Sequence, residues 1–336
     1  MSRSVFGLSV ALTALLGAIL LAFSVGRFPV SPADLAAVLW GLFSGAEHGR
    51  PAAVATVILS VRGPRVLAAV AVGAALASAG AAYQALFRNP LVSPDILGVS
   101  TGASVGAALG ILLGRDLAVI QLLAFLGGLV AVGCVVGAAS LFRGHDPILL
   151  LVLAGIAVGA LFGAVVSLIK VVADPYNQLP AITFWLLGSL SGTVARDLAG
   201  TAPVILAGLV PLALLSFRID VVSLGEEEAR ALGVEAGRVR LIVILCATVI
   251  TASAVSLSGT IGWVGLVVPH MARFLVGPGF ARLLPASALL GGGFLLLVDT
   301  LARTAARIEI PLGVLTAFVG TPVFVWVLAR ARRSWS

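Results

Sequence analysis

The sequence predicts an all-α integral membrane protein of about ten spanning helices, and three observations carry that prediction. Apolar residues make up 60% of the 336 and charged residues only 10%, for a mean hydropathy of +1.17. That is about 200 apolar residues, ten spans' worth at about 20 residues each. Glycine also recurs every fourth residue at Gly98, Gly102, Gly106, Gly110 and Gly114, and again at Gly155, Gly159 and Gly163. Such ridges let spanning helices meet backbone to backbone, or else form a smooth wall along a wide pathway; packing is the stronger reading. The same numbers exclude whole classes of function. A soluble domain has about 25% charged residues to cover its surface, which rules out a soluble enzyme, a disordered chain and a nucleic-acid binder. The net charge of +7 fits arginines at span ends, facing lipid headgroups. Cys134 and Cys246 lie inside apolar runs, so no disulfide framework or metal motif follows.

The first span covers about 5–26. Its 22 apolar residues exceed a signal-peptide core and no small-residue cleavage site follows, so it reads as a retained helix. Later spans fall at about 64–86, 95–114, 117–142, 147–171, 198–217, 239–258, 261–276, 283–304 and 311–330. Three connections are long. Residues 27–61 carry Ser31-Pro32-Ala33-Asp34, an N-cap with proline at the first helical position, opening a short apolar helix through Phe43. Residues 172–197 hold Pro180 to Gly188, too short to cross, whose Phe184 and Trp185 suit an interfacial or re-entrant helix. The third, 218–238, is the one strongly charged internal stretch. The whole chain, 1–336, reads as a single transmembrane domain. Asp146-Pro147 opens one span and Glu309-Ile-Pro311 opens another five spans later, and this odd offset predicts an inverted internal repeat.

With the N-terminus inside, twelve basic residues fall on the inner side and nine on the outer, a lean towards cytoplasmic N- and C-termini. The nine outer ones call for an explanation. Ionisable groups within spans are scarce: Asp299 and Arg303 lie four apart and pair along a helix face, and His270 follows Pro269. No phosphate-binding loop, nucleophile with its base, or His/Cys/Asp cluster is present, so the chain cannot hydrolyse ATP by itself. In the charged stretch, Glu226, Glu227 and Glu228 occupy the first turn of a short helix and Gly233 sits where a glycine would end it. So short a helix needs something to dock against, and three glutamates favour a protein over anionic lipid.

Leu224-Gly225-Glu226-Glu-Glu-Ala229-Arg230-Ala-Leu232-Gly233 resembles the coupling segment (220–238) of ABC importer permeases, and more narrowly of the FecCD family of vitamin B12, ferric siderophore and haem permeases. Arg62-Gly-Pro-Arg65, Gln84 to Leu91, Pro94 to Gly102, Trp185-Leu-Leu-Gly188, Gly259 to His270, Asp299 to Arg303 and Pro311 to Pro322 stand in that family's order over roughly residues 60–330. The resemblance implies a type II importer permease in a bacterial or archaeal plasma membrane, paired with itself or with a paralogous permease. Two ATPase subunits would bind ATP and magnesium, which this chain would not hold, and a periplasmic or lipid-anchored binding protein would deliver the ligand. It further implies that Arg62, Arg65 and Arg303 meet glutamates of that binding protein, and that Asn89 and Leu91 form an inner gate beside a helix break. Arg143 to Pro147 matches a second inner loop in position, with His145 solvated. The expected cargo is a ferric siderophore, with corrinoid, haem and molybdate behind it. Tyr83 and Tyr176 are the only tyrosines and Met1 and Met271 the only methionines, and no pathway set of histidine, tyrosine or methionine singles out haem. A stand-alone secondary transporter is the alternative of another class, and it has no need of an ordered acidic coupling helix.

Overall fold

A computed structural model describes residues 3–26, 28–45, 49–141 and 147–331; Arg27 and the predicted inner loop at 143–146 lie outside the described residues. In chain order the helices are α1 (Arg3–Ser24), α2 (Pro32–Ser44), α3 (Ala52–Leu86), α4 (Val99–Leu112), α5 (Leu117–Ser140), α6 (Pro147–Val172), α7 (Gln178–Leu187), α8 (Ala195–Leu214), α9 (Ser216–Leu224), α10 (Glu226–Ala231), α11 (Ala236–Ser258), α12 (Val264–Val276), α13 (Phe280–Thr304) and α14 (Leu312–Ala331). Ten of them match the ten predicted spans. Seven are long and apolar enough to cross a bilayer, whereas α4, α12 and α14 belong to the shorter apolar helices. The four extra helices are α2, α7 and α10, as expected, and α9, which the sequence did not predict.

The two shortest spans have identifiable causes. Residues Pro94–Leu97 form a 3-10 turn and Gly98 takes a left-handed φ of 75°, so α4 starts only at Val99. Its 14 residues reach about 21 Å, short of a hydrocarbon core of about 30 Å. Before α12, Gly259 (φ 68°) and Trp263 (φ 72°) hold an irregular stretch; a bulky residue at positive φ is rare. Irregular backbone at membrane depth has to be sheltered by protein, and α7 shelters this one. Ser189 N–H donates to the Ser258 carbonyl at 2.8 Å and Leu312 N–H to that of Gly188 at 2.9 Å, while the Thr260 hydroxyl donates to Leu186.

The core lies along α3 and α11, whose most apolar stretches are 78% and 72% buried, against 11% for α6. Glycine makes the tightest crossings: a Cβ on Gly73 would strike the Gly291 carbonyl of α13, one on Gly80 that of Gly265 in α12, and one on Gly106 that of Leu123 in α5. The first predicted glycine ridge is packing at its centre, where Gly102, Gly106 and Gly110 meet α5, whereas Gly114 beyond the helix has no neighbour within 4 Å. The second divides: Gly155 abuts the Ile96 carbonyl, but Gly163 has no neighbour within 4 Å and Gly159 only the Thr101 hydroxyl at 3.9 Å. α2 is set by its N-cap. Ser31 and Asp34 form the capping box, and Asp34 also holds Arg50 at 3.1 Å.

Candidate functional site

The charged residues gather at two opposite ends of the bundle. At one end, α3 contains a wide π-helical turn over Val57–Arg62 that turns Ile58 and Arg62 inward. Arg62 is 6% exposed and donates to the Phe23 and Phe28 carbonyls, and Arg303 of α13 donates to that of Ala22. Two guanidiniums therefore cap the C-terminal end of α1, where unpaired carbonyls and the helix dipole favour positive charge. Gly26 passes so close that a Cβ there would meet the Arg62 guanidinium.

Arg65, one turn beyond Arg62, spreads its fork over two carboxylates. Its Nε and Nη2 donate to Asp299 at 3.0 and 2.9 Å, and its Nη1 and Nη2 to Glu309 at 2.8 and 3.0 Å. Asp299 is 1% exposed and also faces Arg303 at 3.8 Å, whereas Glu309 stands at the edge, 36% exposed. A buried carboxylate is tolerated only when paired and hydrogen-bonded in this way. Three guanidiniums against two carboxylates leave one positive charge in excess. These five side chains border a cavity of about 240 Å³. The three arginines singled out in the sequence thus form one cluster, and each has partners within the chain.

At the other end, α10 is short but well terminated. Val234 N–H donates to the Ala229 carbonyl at 2.8 Å and Gly233 N–H to that of Arg230 at 3.0 Å, with Gly233 at φ 74°: both bonds of a Schellman motif. Ala229 is fully buried, and Glu226 reaches Arg240 of α11 at 3.3 Å. Part of the docking that the sequence demands for this helix is thus internal. Leu224 and Leu232, each 61% exposed, flank it, and Glu227 and Arg230 point outward. α9 precedes it, burying Ile219, Val221 and Val222. The Asp220 carboxylate of α9 accepts from Phe280 N–H at 2.8 Å, capping the start of α13.

Near the same end, Asn89 Oδ1 accepts from Leu91 N–H at 2.9 Å, a side-chain turn that holds the helix break open. Leu91 is 47% exposed. Sequence reading missed the group behind this loop: buried Gln84 donates to the carbonyls of Val92 (3.2 Å) and Leu266 (3.1 Å) and accepts from Arg273. The signal was an amide at the end of an apolar span, which has to be satisfied internally. Glu309 was likewise read only as part of a repeat.

A larger cavity, about 790 Å³, lies between α7 and α14. Leu187, Trp263, Val314, Ala317 and Phe318 line it, a wall without ionisable groups. Among the described residues no group of three or more His, Cys, Asp or Glu is placed to hold a metal.

Comparison with known proteins matches residues 14–330 to the FecCD transport family. The chain is 40% identical to the cobalamin import system permease protein BtuC of Halobacterium salinarum, over 84% of this chain and 76% of that one. It is 36% identical to the molybdate import system permease protein MolB of Haemophilus influenzae, over 93% and 92%. Other relatives are named for iron chelatin, hemin and ferric dicitrate transport. Among solved structures, an inward-facing metal-chelate type ABC transporter superposes with a TM-score of 0.86 at 35% identity, covering 96% of this chain and 98% of that one.

Proposed function

We propose that this chain, which belongs to the FecCD transport family and is a multi-pass permease of a metal-chelate type ABC importer, carries a ferric siderophore. As a permease subunit it is not itself an enzyme. The reading rests on the plainness of the pathway side. The cavity beside α14 and the open Gly159 and Gly163 of α6 offer smooth surface without a charged or metal-ligating grip. That suits a bulky chelate recognised by a partner and passed through on shape alone. The relative named for cobalamin supports corrinoid as a second reading.

The arginine end faces outward in this reading and docks carboxylates of the substrate-binding protein at Arg62, Arg65 and Arg303. The opposite end is cytoplasmic, with both termini. There Leu224, Gly225, Glu226, Ala229, Arg230, Leu232 and Gly233 couple to two ATPase subunits, which supply ATP and magnesium. Asn89 and Leu91 gate the inner exit. A second copy of the chain completes the pathway against the exposed faces of α6 and α14, where Ile156, Leu161 and Phe318 lack partners within the chain. ATP binding in the partner moves α10, and the spans attached to it reopen the pathway on the inner side.

The decisive experiment reconstitutes the permease with its ATPase and binding protein in liposomes and offers radio-iron siderophore, cyanocobalamin, haemin and molybdate side by side. ATP-dependent accumulation of the siderophore alone is expected. Accumulation of cyanocobalamin without the siderophore establishes the corrinoid reading instead, and uptake by the permease without ATPase overturns the importer mechanism.

A further inference from the structure

Arg65 holds two carboxylates that differ in how firmly they are held. Asp299 is buried within α13 and shared with Arg303. Glu309 lies outside any helix, at the cavity edge, and meets the two terminal nitrogens of Arg65 end-on. An ion pair at a solvent edge exchanges partners readily, whereas a buried one does not. Glu309 also stands three residues before α14, whose first turns line the large cavity. Its backbone neighbours are tied down, Ile310 N–H to Ala302 and Leu312 N–H to Gly188. The Glu309 side chain adds an ionic tie from this linker across to α3.

We propose that Glu309 is an internal stand-in for a carboxylate of the docking protein. In the undocked chain it occupies the outer fork of Arg65. On docking, a partner carboxylate takes that fork, Glu309 is released, and the linker leading into α14 loses its tie to α3. The cluster's charge fits such an exchange: with Glu309 gone, three guanidiniums face one buried carboxylate, a site for one or two incoming acids. No covalent step is involved. The inference rests on the docking reading given above, and the experiment separates the two.

Binding of the cognate substrate-binding protein to the permease–ATPase complex in nanodiscs is measured by surface plasmon resonance for wild type and Glu309→Gln. The exchange predicts that E309Q binds roughly two- to fivefold tighter, the scale of one exposed ion pair no longer competing. Equal or weaker binding by E309Q, with wild-type docking still weakened by salt from about 0.05 to about 0.5 M NaCl, overturns the exchange and leaves the docking reading standing. Wild-type docking that ignores salt overturns the docking reading itself. Should E309Q fail to assemble, a bimane label at Ile308→Cys, in a background with Cys134 and Cys246 replaced by serine, reports on the native cluster. Ile308 is 79% exposed and adjoins Glu309. A change in its emission on docking is expected, and an unchanged emission overturns the exchange.

Discussion

The two charged ends of the bundle solve the same problem in opposite ways. At the arginine end the charges turn inward: the Arg65 and Arg303 side chains are 15% and 12% exposed, and every guanidinium has a partner in the chain. At the α10 end they turn outward, with Arg230 and Arg238 about four-fifths exposed, and the helix is held by one buried alanine, a glycine-terminated turn and Glu226. A partner meeting the first end has to exchange existing ionic bonds. A partner meeting the second finds a preformed shape ringed by exposed charges that pair only with near neighbours, Arg230 with Glu226 and Arg238 with Glu235. In the docking proposed above, recognition by exchange and recognition by shape thus sit on opposite ends of one chain.

The sharpest way to break this contrast is Asp299→Asn. It leaves Arg303 and the Nε side of Arg65 facing a neutral amide, with Glu309 still on Arg65, and breaking a buried pair costs about 3–5 kcal/mol. A melt of the purified permease in detergent should show a large drop in midpoint; a shift equivalent to under about 1 kcal/mol would mean the inward cluster is not held by its buried carboxylate. Next comes Gly233→Val, which forces a β-branched residue into the left-handed region at about 1–2 kcal/mol. Because α10 is peripheral, the melt should barely move while ATP-driven uptake collapses. Normal uptake would show that the shape of α10 does not matter. The smallest effect on the melt belongs to Glu226→Gln: Glu226 is itself half-exposed and bridges the exposed Arg230 and the largely buried Arg240, so the expected loss is at most about 1 kcal/mol. A loss comparable to D299N would mean both ends rely on ionic anchoring, and the contrast would fall.

The ten spans were legible because hydropathy is written residue by residue and the bilayer sets their length. The capping box of α2 and the ends of α10 were legible for the same local reason: Ser31 with Asp34, and Gly233 after three glutamates, carry their conformations in neighbouring residues. What stayed hidden was either context or distance. Ser216–Leu224 mixes polar and apolar residues like a loop, and it is helical because Ile219, Val221 and Val222 find a surface to bury against. The starts of α4 and α12 were set too early because Gly98 and Trp263 take positive φ inside apolar runs. The arginines were visible as positions, but their partners were not. Arg65 meets Asp299 and Glu309 from 234 and 244 residues away, and no periodicity in the sequence encodes such a pairing.

One helix touches both ends. α13 begins at Phe280, where Asp220 of α9 caps it, and about 29 to 35 Å later carries Asp299 and Arg303 into the arginine cluster. Anything bound at one end that changes the free energy of a displacement of α13 therefore changes affinity at the other, and by the same factor in reverse. In the docking proposed above, the two partners are therefore not independent: a nucleotide state that tightens the grip at the arginine end is itself favoured when the binding protein arrives.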